Sequence, residues 1–246
     1  MSYATIEEPL HDFDGYILRP KELERSPGII LLHAYNQMPS DMRVYAEGFA
    51  RNGLVAAVPK YTDASDGVVI AVKALRALKS RSDVDGNRVG LFGLSLGGSM
   101  ALLASTQEKV EFVIDVGGWV DLADLYRHLS KFPPNTPQKI IADTMESATG
   151  TPEENEEIYR LSSPITYVDR ITGKVLIIHG EKDDMVPVSQ SKLLYEKLKE
   201  KNKVAELKVV KDAGYLMKGY EDAVVKISIE FLRSNKILAQ PRGERD

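Results

Sequence analysis

Cysteine is absent from the 246 residues, which excludes disulfides, thiolate metal sites and a cysteine nucleophile. Histidine is nearly as scarce: His11, His33, His128 and His179 are the only four, and none follows His179. No apolar run approaches the length of about 20 residues that crosses a bilayer. The net charge of −4 is spread without long runs of one sign, so there is no footprint for nucleic acid or a membrane surface. No His-x-x-x-His pair or carboxylate cluster stands at metal-ligand spacing, and Glu153-Glu154 and Glu156-Glu157 read as a solvated helix face. Neither a metal nor an organic cofactor is expected. Met1 to Glu8 contains no basic stretch followed by an apolar one, so the expected location is the cytoplasm.

Against these absences stands a regular alternation of apolar runs and helix-period patterns, the mark of βαβ units around a mostly parallel sheet. Gly28 to His33 is an apolar run of the kind a strand buried on both faces requires. Leu54–Val58, Arg88–Phe92, Val110–Val116, Lys174–His179 and Ala205–Lys211 read as further strands, with a turn at Asp85-Gly86-Asn87. A helix is expected from Ser40, as N-cap, to Arg51, with Val44, Tyr45 and Phe49 inward. Val68, Val69, Val72, Leu75 and Leu78 mark a second helix, and others cover Gly97–Thr106, Val188–Lys201 and Tyr220–Leu232. The polar tail 240–246 is expected to fray. The reading is one α/β domain over residues 1–246, its central sheet covered by helices on both faces; 43% hydrophobic composition suffices for one core.

The alternation breaks between Trp119 and Arg170, read as a small helical cap inserted over the carboxyl edge of the sheet. Two helices are expected there, Asp121–Leu129 and Thr151–Arg160, the second opened by the capping box Thr151-Pro152-Glu153-Glu154. Between them, Phe132 to Pro137 holds three prolines and excludes helix or central strand.

Gly93-Leu94-Ser95-Leu96-Gly97 follows an expected strand and opens an expected helix. A serine at such a strand-to-helix turn takes a strained backbone that lifts its hydroxyl out of the sheet edge, and small flanking residues make room for it. Ser95 is therefore the candidate nucleophile. Two backbone N–H donors must hold the oxyanion. Leu96 is one, and Ala34 or Tyr35, in the loop after His33, is the other. Asp183, in the loop after the strand ending at His179, is the candidate acid, with Asp184 and more weakly Asp115 as substitutes. His33 and His179 read as loop anchors, and His128 as a residue of the cap surface.

His33-Ala34, Gly93-x-Ser95-x-Gly97-Gly98, Ser163-Pro164-Ile165-Thr166-Tyr167-Val168 and His179-Gly180-x-x-Asp183-x-x-Val186-Pro187 follow in that order. From about Tyr16 to Leu232 the chain resembles the α/β-hydrolase superfamily. Within it, the chain is most similar to dienelactone-hydrolase-like esterases and the catalytic domains of prolyl-oligopeptidase-type peptidases. The resemblance implies a carboxylesterase-type serine hydrolase acting on a small-molecule ester, with a peptidase or a catalytically silent ligand-binding relative as alternatives. Dienelactone hydrolases proper carry cysteine at the elbow, so their substrate is not implied.

One position departs from the family. Its histidine follows a glycine after the last strand, where this chain has Asp212-Ala213-Gly214-Tyr215. Tyr215 occupies the place of the triad base, as in a repurposed relative or an engineered variant. A phenol, with pKa near 10, is a poor base at neutral pH. Lys211 or Lys218 could lower that pKa, whereas Asp183 would raise it. The expectation is that Tyr215 donates to Asp183, leaves Ser95 unactivated and permits only weak ester hydrolysis.

Overall fold

The central parallel strands form where the sequence supplies residues that can be covered from both sides. The computed structural model describes residues 2–240; the expected fraying beyond them falls on 241–246, outside the described residues. In chain order the strands are β1 (Thr5–Leu10), β2 (Gly15–Pro20), β3 (Ser26–Leu32), β4 (Val55–Val58), β5 (Val84–Leu94), β6 (Phe112–Val116), β7 (Lys174–Gly180) and β8 (Ala205–Val210). The helices are α1 (Arg43–Arg51), α2 (Ala64–Lys79), α3 (Leu96–Ser105), α4 (Leu122–Leu129), α5 (Pro137–Thr149), α6 (Glu156–Ser162), α7 (Val188–Glu200) and α8 (Glu221–Ser234).

One sheet runs β1-β2-β4-β3-β5-β6-β7-β8. The β1/β2 and β2/β4 pairs are antiparallel and all others parallel. β3, β4 and β6 are buried at every residue, as parallel strands flanked by helices must be. One apolar layer packs Leu75 of α2, Met100 of α3 and Leu194 of α7 against the sheet. The opposite layer uses Phe49 of α1 and Phe231 of α8.

Several local expectations are corrected. Ser40 does not cap α1: it lies in a 3-10 turn, Pro39–Met42, and α1 starts at Arg43 without a side-chain cap. Val44 is 41% exposed because Tyr45, Ala46, Phe49 and Ala50 form the buried stripe. Val69, 50% exposed, faces away from the Ala71, Ala74, Leu75 and Leu78 stripe of α2. Asp85-Gly86-Asn87 does not end a strand. Ser26 pairs with Val84 and Gly28 with Val89, so these residues bulge out of the ladder within β5. The antiparallel β1–β2 hairpin was not anticipated.

Three helices, not two, connect β6 to β7. α5 is capped by Thr136, whose hydroxyl accepts from Lys139 N at 3.3 Å, with Pro137 in its first position. The capping box forms as read, with Thr151 N donating to Glu154 Oε2 at 2.9 Å and Glu154 N to Thr151 Oγ1 at 3.3 Å. It closes an isolated turn, and α6 begins only at Glu156.

Candidate active site

Ser95 stands alone between β5 and α3, at φ 49° and ψ −115°. This left-handed backbone is costly for a residue with a Cβ and is the strain the elbow requires. It is held by main chain: Ser95 N donates to Val116 O at 2.8 Å, and Ser95 O accepts from Gly98 N at 2.9 Å. Only glycine fits beside it, since a Cβ on Gly93 or Gly97 would approach the Gly97 or Leu32 carbonyl to 2.1 Å.

The loop after β3 is a tight turn in which Gln37 N donates to Ala34 O at 3.2 Å and Asn36 takes φ 58°. The Gln37 side chain closes it again, with Oε1 accepting from Ala34 N at 3.0 Å. Ala34 is thereby corrected as an oxyanion donor, because its N–H is already engaged. The Tyr35 and Leu96 N–H groups have no hydrogen-bond acceptor among the described residues. The Tyr35 ring lies at the exposed rim of the cavity.

Asp183 has a side chain only 3% exposed. Its Oδ1 accepts from Met185 N at 3.0 Å and Val186 N at 2.9 Å. Burial pushes its pKa up to about 6, against the pull of those two donors. The expected Tyr215–Asp183 hydrogen bond is absent. The Tyr215 Oη instead lies 3.2 Å from Ser95 Oγ. Burial and then Asp183 raise the Tyr215 pKa, while its bond to Ser95 opposes the rise. Lys211 and Lys218 are exposed, and neither lowers it. Tyr215 opens a short turn in which Leu216 and Met217 both take left-handed φ, 59° and 54°, a conformation bulky residues adopt only under constraint.

The remaining candidates are held elsewhere. His33 stacks on Tyr61, centroids 4.0 Å apart, and its Nδ1 meets Ala34 O at 2.9 Å. His179 bonds Ser191 Oγ at 2.6 Å and Val186 O at 2.8 Å, anchoring the Asp183 loop. His128 is half-buried near the end of α4, with Nε2 3.1 Å from Asp184 O. Asp115 is wholly buried, its Oδ1 accepting from Gly118 N at 2.9 Å, and burial pushes its pKa up to about 7. It lies under the elbow and does not line the cavity.

Ser95, Leu96, Tyr35 and Tyr215 open onto a cavity of about 540 Å³. Its walls are apolar: Met100 and Leu103 of α3, Leu122, Leu125 and Leu129 of α4, Met145 and Ala148 of α5. Asp63, the N-cap of α2, is the only charged side chain in the lining among the described residues. Gln37, Asp63 and the α5 wall went unread in the sequence. For α5 the Thr136-Pro137 pair was an available signal, but Gln37 acts through a turn no motif marks. Among the described residues there is no group of three or more His, Asp or Glu that could hold a metal, and no helix is long and apolar enough to cross a membrane.

The prolyl oligopeptidase family model matches residues 71–234. The uncharacterized peptidase YtmA of Bacillus subtilis is 34% identical over 146 residues, covering 55% of this chain and 51% of that protein. The chain spans about half or less of the length of the curated relatives it matches. A thermophilic esterase of Thermogutta terrifontis, solved with butyrate bound, superposes with TM-score 0.71 at 20% identity, over 92% of this chain and 90% of that one. The acylaminoacyl peptidase of Pyrococcus horikoshii gives 0.74 at 19% identity, over 100% of this chain and 43% of that one. These likenesses show the α/β-hydrolase fold.

Proposed function

Since the chain belongs to the prolyl oligopeptidase family, we propose that it is a serine hydrolase of the carboxylesterase type, acting through an acyl-enzyme on Ser95. The observation that carries this reading is the strained Ser95 lining one apolar cavity with Leu96 and Tyr35, whose N–H groups are unengaged among the described residues. Leu96 N and Tyr35 N hold the oxyanion, and the acyl chain lies against α3, α4 and α5. Asp183 stands where the acid of the triad would orient and charge-stabilise its base, but this chain fills the base position with Tyr215, so turnover is slow. Loss of one triad member leaves about 10³ to 10⁴ of rate over water from the oxyanion hole and binding. The substrate is a small ester with an apolar acyl group, met in the cytoplasm. A similarity to a protein named as a peptidase favours amide cleavage as the second reading.

Hydrolysis of p-nitrophenyl acetate and butyrate by the parent and Tyr215→His, with Ser95→Ala as blank, tests the assignment. A rise of at least about a hundredfold with histidine supports it. Rates in both that equal the Ser95→Ala blank refute it. Acyl-aminoacyl p-nitroanilides in the same assay separate esterase from peptidase.

A further inference from the structure

Resting on the Ser95 acyl-enzyme, we propose that the protein is an acyltransferase toward small primary amines, passing the acyl group from Ser95 to nitrogen in preference to water. Hydrolysis of an acyl-serine needs a base that takes a proton from water as it attacks. None of the four histidines lines the cavity. His128 and His179 are tied through Nε2 to Asp184 O and Val186 O. His33, held by Nδ1 at Ala34 O, is buried in a stack on Tyr61 with its Nε2 unpartnered among the described residues. The group facing Ser95 Oγ, at 3.2 Å, is the hydroxyl of Tyr215, which no cation activates.

A neutral phenol accepts a proton only while giving up its own, so it can serve as a relay without ever becoming charged. In acylation the Ser95 proton passes to Tyr215 Oη, and the Tyr215 proton passes to the departing oxygen or sulfur of an activated ester or thioester. In the second half the amine lone pair attacks the acyl carbon and the bond from carbon to Ser95 Oγ breaks. One N–H proton then goes to Tyr215 Oη and the Tyr215 proton to Ser95 Oγ. An amide leaves, Ser95 is regenerated, and nothing is oxidised or reduced. The same relay is open to water, but an uncharged amine is a far stronger nucleophile before it loses its proton, whereas water gains little without a true base.

The lining also has a means of gathering amines. Asp63, Ala64 and Ser65, at the start of α2, line the cavity together with Tyr35. Its Oδ1 accepts from Ser65 N at 2.7 Å and Ser65 Oγ at 2.5 Å, which holds the carboxyl ionised below its usual range. An isolated carboxylate in an otherwise uncharged lining concentrates ammonium ions there, and their uncharged fraction is the acceptor.

The test incubates the full chain with p-nitrophenyl butyrate and benzylamine at mildly alkaline pH, and measures butyryl-Ser95, N-benzylbutyramide and butyrate by mass spectrometry. The expected amide-to-butyrate ratio is at least about tenfold above that of Ser95→Ala under the same conditions, and falls at least about tenfold in Tyr215→His, where imidazole activates water. Asp63→Asn, which keeps a good helix cap, should raise the amine concentration for half-maximal capture severalfold, read against that variant's own burst. Butyryl-Ser95 that resolves to butyrate alone, or a ratio unchanged by Tyr215→His, overturns the proposal and leaves the acyl-enzyme standing. Absence of butyryl-Ser95 overturns both.

Discussion

The Tyr215 hydroxyl lies 3.2 Å from that of Ser95 and makes no hydrogen bond to Asp183. Nucleophile and phenol therefore form a pair, and the buried carboxylate keeps two backbone donors, with the His179 Nε2 3.6 Å from its Oδ2.

The pH dependence of ester cleavage should differ between the parent and Tyr215→His. Burial raises the Tyr215 pKa above its ordinary value near 10, so no phenolate builds up near neutrality and the parent rate should climb with pH without a plateau. With histidine, the base works only when neutral. The rate should fall on acidification below about pH 6.5 and level off above it. Initial rates across that range distinguish the two profiles.

Asp183→Asn should stabilise the fold while removing the acid. The folded-state pKa of Asp183 is pushed up to about 6, above its unfolded value near 3.9. Ionisation therefore favours the unfolded chain. The cost is absent below about pH 4, grows as pH rises toward 6 and is constant above. Asparagine keeps the Oδ1 acceptor and should gain up to about 3 kcal/mol at pH 7, seen as a rise in denaturation midpoint that vanishes near pH 4. In a Tyr215→His background the gain should shrink, because an imidazolium partner favours the charged acid.

Gln37→Ala should impair catalysis more than binding. Losing Oε1 frees Ala34 N and loosens the turn that aims the Tyr35 N–H. Oxyanion donors act on charge developed in the transition state. A fall in kcat of about tenfold, with KM changed by less than about twofold, is expected from steady-state kinetics on p-nitrophenyl butyrate.

Ala148→Phe should shorten the preferred acyl chain. Ala148 lines the cavity from α5 beside Met145, and added bulk in a packed apolar wall displaces the far end of a long chain first. The ratio of octanoate to acetate ester cleavage should drop by at least about tenfold.

The parallel strands were legible because burial on both faces imposes unbroken apolar runs such as Ile29 to Leu32, and the elbow because its glycines are sterically obligatory. The β1–β2 hairpin was not, since Thr5–Leu10 is half exposed and carries Glu7 and Glu8. α5 is hard to see because three prolines crowd its start, although Thr136-Pro137 carries the same cap signature as Thr151-Pro152. At the site, Ser95 and Asp183 could be placed from local spacing. The partner of the Tyr215 hydroxyl could not, because it depends on a turn with two consecutive left-handed residues, Leu216 and Met217, that no spacing encodes.

Ser95 owes its posture to glycines and carbonyls, and nothing in its backbone support comes from residue 215. On the mechanism proposed, the side chain that handles protons is thus a replaceable part on an unchanging mount. Tyrosine and histidine codons differ by one nucleotide, so under that proposal a lineage carrying this scaffold could cross between sluggish and vigorous chemistry, in either direction, without remodelling its fold.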